Sequence, residues 1–239
     1  MMAWTRELLR QRLAKFNTEK YSFASLGNFF GKSKQAAVLI PLFLRNGDVH
    51  VLLTLRSSHL RTHGGDVAFP GGKKDDTDAD EIETCLREAE EEIGLKKDQV
   101  EIVCRIPGRL SKHEVYVAPV VGLIPDDFQG IPNEEEVETI FSVPLCRFLT
   151  TEGHDPFDYE TEIYKGVIHR FNDNINGVVI TTWGLTATMC IELAVAVYGR
   201  LPPFRFSGRG DLDINDPFKL QKVYLENYLN NRDFLKSKF

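Results

Sequence analysis

"FPGGKKDDTDADEIETCLREAEEEIGL" (Phe69–Leu95) sets a Pro-Gly-Gly break ahead of a run crowded with carboxylates and closes it with a glycine. At about 100° per residue, Ile82, Cys85, Leu86, Ala89 and Ile93 fall on one stripe, which predicts an amphipathic helix with a core face. The carboxylates fall elsewhere. Glu88 and Glu92 are four apart, Glu91 sits three beyond Glu88, and Glu81 lies two turns before it, so the spacing gathers all four on one flank. The same spacing predicts Asp78 as N-cap with Glu81 completing a capping box, Gly94 as a left-handed helix end, and Arg87 reaching Glu91 at i+4. A lone run of helical charges is ordinarily a solvated face. Here the glycine pair Gly71-Gly72 lets the backbone approach a ligand closely. Carboxylates at i, i+3 and i+4 can converge on a hard divalent cation, which takes oxygen ligands, with a phosphate beside it.

Outward from this helix the chain reads mostly as strands. Ala36 to Leu44 and Val49 to Leu55 flank Asn46-Gly47, the strongest short hairpin signal. Further β-rich runs cover 100–106, 115–124, 137–145, 166–171 and 177–183, the last after a second Asn-Gly at Asn176. A second helix is expected over Trp183 to Arg200, apolar nearly all round and therefore buried against the sheet. Strands with a few helices across them predict an α+β or α/β/α layered domain. Roughly the first thirty and last thirty-five residues read as less regular appendages, giving an N-terminal extension over 1–35, a domain over 36–200 and a C-terminal extension over 201–239.

The chain has 239 residues and a formal net charge of −6, enough length for a real core and too little positive charge for an electrostatic nucleic-acid binder. Four widely spaced cysteines without a CxxC pair predict core thiols in a reducing compartment. No run is long and apolar enough to span a bilayer, and a soluble, intracellular protein is expected. His59 and His63 stand at i and i+4 but lack the HExxH pattern, and Gly72-Lys73 lacks the remaining residues of a P-loop.

"REAEEEIGL" (Arg87–Leu95) resembles the core of the Nudix box, and "LLTLRSSHLRTHGGDVAFPGGKKD" (Leu52–Asp75) resembles the signature that accompanies it in coenzyme A diphosphatases, with Arg56, Ser57, Arg61, Gly65, Phe69, Pro70, Gly71, Gly72 and Asp75 in place. The resemblance continues more loosely through Asn133 to Leu145 and Trp183 to Ala187. It implies a Nudix fold: an α/β/α sandwich with a mixed central sheet and a catalytic loop-helix-loop. It also implies metal-dependent hydrolysis of the diphosphate bond of coenzyme A or acyl-CoA to 3′,5′-ADP and (acyl) 4′-phosphopantetheine. Two alternatives stay open: a Nudix hydrolase of another nucleoside diphosphate derivative such as ADP-ribose or a dinucleotide, and a non-catalytic nucleotide-sensing module. Glu88 and Glu92 are the implied ligands of Mg²⁺ or Mn²⁺, with Glu91 a third ligand or the group that orients or deprotonates water, and Arg87 carried over as part of the box. The chain departs from the pattern at the glutamate expected eight residues before Arg87, where it has Ala79. Glu81, Asp78 or Asp80 can substitute, or Glu81 simply caps the helix. Glu136 is a candidate general base or a solvated loop edge. Gly71 and Gly72 are candidates for substrate contact. Arg56 and Arg61 either pair with the 3′-phosphate, as guanidinium forks match phosphate geometry, or pack on the sheet.

Two addresses compete at the ends. Met1 to Phe16 is basic and amphipathic, as in a mitochondrial presequence, although Glu7 and the scarcity of serine count against it. The tail Ser237-Lys238-Phe239 differs from the peroxisomal Ser-Lys-Leu address only in its last apolar residue. Together with the resemblance to coenzyme A diphosphatases, which include peroxisomal members, the tail predicts the peroxisome, reached through an import receptor, with mitochondrion or cytosol as the alternative.

Overall fold

The computed structural model describes residues 3–26, 34–60, 62–111, 114–160, 165–207 and 210–236. Its helices are α1 (Arg6–Ala14), α2 (Phe23–Leu26), α3 (Glu81–Ile93), α4 (Gly184–Tyr198) and α5 (Lys219–Lys236). The first hairpin joins β1 (Gln35–Arg45) to β2 (Asp48–Arg56) through Asn46 and Gly47 at φ 53° and 80°. Two successive positive dihedrals are what a type I′ turn demands and what Asn-Gly tolerates. Also in this sheet are β3 (Val67–Ala68), β4 (Gly71–Lys73), β5 (Glu101–Arg105), β6 (Arg109–Leu110), β7 (Tyr116–Leu123) and β8 (Val137–Pro144). The order is β3-β2-β1-β7-β5, with β4 on β1, β6 on β7 and β8 on β2. The β1–β7 pair is parallel and its neighbours are antiparallel, so the sheet is mixed.

Period-2 alternation sends successive side chains to opposite faces. From β1, Ile40 and Leu42 enter a core shared with α1 and α4, whereas Ala37, Leu39 and Phe43 enter a second core beneath α3. The domain is therefore the α/β/α sandwich expected. The apolar helix α4 is buried on nearly every side, because hairpin strands and α1 cover the surfaces that the sheet does not.

Two small sheets flank the large one: β9 (Phe157–Glu160) with β10 (Lys165–Ile168), and β11 (Arg170–Ile175) with β12 (Val178–Trp183). The run 166–171, expected as one strand, divides at His169. This residue is buried with its Nε2 2.8 Å from the Phe206 carbonyl, and the chain changes partner there from β9 to β12. Asn176 and Gly177, at φ 53° and 87°, form the second Asn-Gly turn.

The ends, read as less regular, are helical and packed. Leu9 and Leu13 of α1 fill the α4-side core and Leu225 of α5 the α3-side core. The segment that resembles a presequence is thus α1 and its flanks, with Arg6 donating to the Ile124 carbonyl at 2.8 Å and Arg10 to Glu101 at 3.0 Å. No helix among the described residues is long and apolar enough to cross a membrane, and the four cysteines are free thiols.

Candidate active site

Helix α3 presents its apolar stripe to the sheet as predicted, with Cys85, Ala89 and Ile93 buried, and Gly94 ends it at φ 69°. Its start differs from expectation. Asp80, not Asp78, is the N-cap, accepting from the Ile82 and Glu83 backbone N–H groups at 2.9 Å each, and Glu83 reaches back to the Ala79 N–H at 2.7 Å. The expected box started two residues early. Asp78 is instead drawn into a turn, where it accepts from the Asp75 N–H at 2.8 Å and takes both arms of Arg87 at 3.0 Å.

That shift removes Glu81 from the carboxylate flank. Its side chain is 2 % exposed and accepts from Arg105 Nε at 2.8 Å and the Phe23 N–H at 3.0 Å, which ties α3 to α2 and β5. With both oxygens taken inside the protein, Glu81 acts as a clasp between α3 and its neighbours.

Glu92 is the centre of the site. Only 1 % exposed, it accepts from Arg56 Nη1 at 3.1 Å through one oxygen and from the Gly71 N–H at 3.0 Å through the other. Burial pushes its pKa up to about 7, against the lowering effects of the Gly71 N–H and Arg56. Glu88, one turn earlier, is also raised by burial, offset by Arg87 at 3.0 Å. Negative charge on Glu136 raises both slightly, so the base candidate, just before β8, lies near the helix carboxylates. Glu91 is mostly solvent-facing and meets Arg87 at 3.1 Å, the i+4 contact predicted.

The glycine pair acts differently from an open loop. Gly71 and Gly72 lie in β4, paired with Val38 and Ala37 of β1. Gly71 holds φ 155°, and a side chain there would collide with the β1 backbone; one at Gly72 would collide with the Glu88 carboxylate. Glycine at 71 lets β4 lie against β1, and glycine at 72 leaves the Glu88 carboxylate its place. Arg56 is committed to Glu92, and Arg61 lies outside the described residues. Sequence reasoning missed the Asp78–Arg87 pair and the grip on Glu92, because neither follows from helical spacing; only the clustered aspartates before α3 hinted at a turn.

The donor set fits a hard divalent cation. Glu88 and Glu92 are desolvated carboxylates, Glu88 feeling the like charges of Glu91 and Glu136 and Glu92 those of Glu88 and Glu136, so a bound cation would relieve their mutual repulsion. Among the described residues no three His, Cys, Asp or Glu side chains are already gathered round one point, since Glu88 and Glu91 both turn to Arg87.

Comparison with known proteins agrees with this geometry. The model of the NUDIX domain matches residues 33–162. "Nudix hydrolase 15, mitochondrial" of Arabidopsis thaliana is 44% identical over 176 residues, covering 72% of this chain and 62% of the relative. "Nudix hydrolase 22, chloroplastic" from the same plant is 42% identical over 176 residues, covering 72% and 58%. The chain thus spans less than two thirds of the length of these two relatives. "Peroxisomal coenzyme A diphosphatase NUDT7" of Mus musculus is 35% identical over 190 residues, covering 77% of each chain. Members of this family hydrolyse diphosphate bonds and generally use divalent metal ions. With the domain matched over more than half its length and the box carboxylates Glu88, Glu91 and Glu92 carried on a buried, glycine-backed helix, the chain belongs to the Nudix hydrolase family.

Proposed function

We propose that the protein cleaves the diphosphate bond of coenzyme A and its acyl thioesters, releasing 3′,5′-ADP and 4′-phosphopantetheine or its acylated form. The observation that carries this reading is the folding of Leu52–Asp75, the stretch that resembles the coenzyme A diphosphatase signature. Arg56 from its beginning and Gly71 from its end hold the same buried carboxylate, Glu92. The likeness to the mouse peroxisomal enzyme supports the substrate assignment.

Glu88 and Glu92 hold Mg²⁺ or Mn²⁺, with Glu91 as third ligand. The bound cation supplies charge neutralisation of the diphosphate and a lowered pKa for the attacking water. Arg87, tied to Asp78 and to the Lys73 carbonyl at 3.1 Å, orients Glu88 and Glu91. Arg56 and the Gly71 N–H aim Glu92 and favour its charged form against the larger opposing effect of burial. Glu136 accepts the proton of the attacking water, and its place near Glu88 and Glu92 suits that role. With Arg56 engaged, Arg61 is the better reader of the 3′-phosphate.

Purified protein with Mg²⁺ is expected to cleave coenzyme A and acyl-CoA faster than ADP-ribose or NADH, the products being separated by chromatography. Preferred cleavage of ADP-ribose or a dinucleotide would replace this substrate assignment. The tail Ser237–Phe239, outside the described residues, is the proposed address for a peroxisomal import receptor. A fluorescent protein fused to the amino end is expected in peroxisomes, and in the cytosol once those three residues are deleted; mitochondrial signal from a carboxyl-terminal fusion would overturn the assignment.

A further inference from the structure

We propose that the cleft between β2 and β12 receives the aliphatic chain of an acyl thioester; this rests on the coenzyme A reading. The cleft, about 480 Å³, is lined by Leu55, Phe157, Val178, Val179, Ile180 and Trp183 among others. Several of these apolar side chains face solvent, Val178 at 61 % and Val179 at 66 % exposure.

Position connects it to the site. Leu55, on its wall, is followed directly by Arg56, the residue that holds Glu92. The loop after Arg56 closes on that same residue, through Arg56 N–H to the Asp66 carbonyl at 3.0 Å and Gly65 N–H to the Arg56 carbonyl at 3.1 Å. One side of this loop meets the backbone of the base candidate, as the Ser57 N–H donates to the Glu136 main-chain carbonyl at 2.8 Å. The other side meets the cleft, as Gly65 lines it and the Trp183 indole N–H donates to Asp66 at 3.1 Å. A substrate held at the carboxylates therefore has an apolar recess across a single loop.

The lining selects the occupant. A purine edge needs several hydrogen-bonding partners, and leaving them unmade is costly. The Thr181 hydroxyl already donates to Asn172 at 2.7 Å, and the Arg170 guanidinium pairs with Asp155 and covers Phe157. Leu55, Val178, Val179 and Ile180 add hydrocarbon side chains, which suit an alkyl chain, whose burial is favourable for each methylene added.

The test compares coenzyme A with dodecanoyl-CoA in wild type, Val179→Asp and, as an exposed apolar control on α5, Val223→Asp. The ratio of kcat/KM for dodecanoyl-CoA to that for coenzyme A should fall about tenfold or more in Val179→Asp and stay unchanged in Val223→Asp. Equal losses on both substrates would assign the cleft to their shared nucleotide portion and overturn the proposal. So would an unchanged ratio, including the case where Val179→Asp splits a wild-type dimer by light scattering. If wild type cleaves neither substrate, the proposed function fails, and the cleft is judged on dodecanoyl-pantetheine, which carries no nucleotide. A shift of Trp183 emission in a Trp4→Phe background that Val179→Asp abolishes upholds the cleft; no shift overturns it.

Discussion

Glu92 is costly to the fold and, in the proposed mechanism, necessary to the chemistry. Burial holds its pKa near 7, above the ordinary glutamate value, so in metal-free protein its ionised form is disfavoured and is kept by Arg56, the Gly71 N–H and, in the proposed mechanism, a cation. Replacing Glu92 by Gln should leave a folded protein whose hydrolysis is reduced on the order of a hundredfold or more, since even outer partners of metal ligands are worth up to about that much. Near-wild-type turnover at saturating Mg²⁺, with unchanged circular dichroism, would remove Glu92 from the ligand set. Gly72→Ala makes the complementary case. Its new methyl would displace the Glu88 carboxylate without touching any chemical group, so activity should fall while the urea midpoint moves little. Full activity in Gly72→Ala would mean that the placement of Glu88 is not critical.

At the scale of the element, α3 carries two sets of glutamates with separate duties. Glu88 and Glu92 face the site; Glu81 joins the helix start to α2 and β5 through the Phe23 N–H and Arg105. Changing Glu81 to Ala leaves the buried Phe23 N–H without its acceptor and takes from Arg105 its nearest carboxylate, with Asp80 at 3.5 Å remaining, which should cost about 1 to 3 kcal/mol in urea unfolding. The kcat of the molecules that remain folded should stay close to wild type. A stable variant without activity would instead make Glu81 the missing box glutamate. The legibility of this helix was uneven for the same reason. Its stripe, its Gly94 terminus and the Arg87–Glu91 contact depend on periodicity that four or five residues carry, whereas its first turn depended on which aspartate the preceding loop left free to cap.

At the scale of the whole molecule, a pair of histidines links the small sheets to the loop that follows α4. Because the Phe206 carbonyl can only accept, His169 Nε2 carries the proton and its Nδ1 accepts from His154 Nε2 at 2.9 Å. Both rings are held neutral. Burial and the neighbouring His169 and Arg147 lower the His154 pKa to about 4, against a smaller raising effect of Asp155, and burial also lowers that of His169. Folded pKa values below the unfolded one mean that this stabilisation is complete above about pH 6.5 and is lost as pH falls toward about 4. The urea midpoint should therefore fall over that range, more steeply in wild type than in His154→Gln, whose amide still donates but does not titrate. Parallel pH profiles for the two proteins would show that the pair is not the titrating element.

The sequence by itself determined what local repetition can encode. Alternating strands, two Asn-Gly turns, an apolar α4 and an acidic helix with a core stripe follow from the pitch of helix and strand, and the box motif fixed the family from residues adjacent in the chain. Tertiary structure alone decided which acids are buried and what each one meets. Glu81 and Glu92 look alike on a helical wheel, yet one is closed by Arg105 and Phe23 and the other by Arg56 and Gly71, partners brought from distant points of the chain. The termini were misread for a related reason: short helices such as α1 have weak periodicity of their own and are stabilised chiefly by the core they enter. Periodicity is a property of the backbone, whereas desolvation and pairing depend on what folds over it, so a helical wheel carries neither.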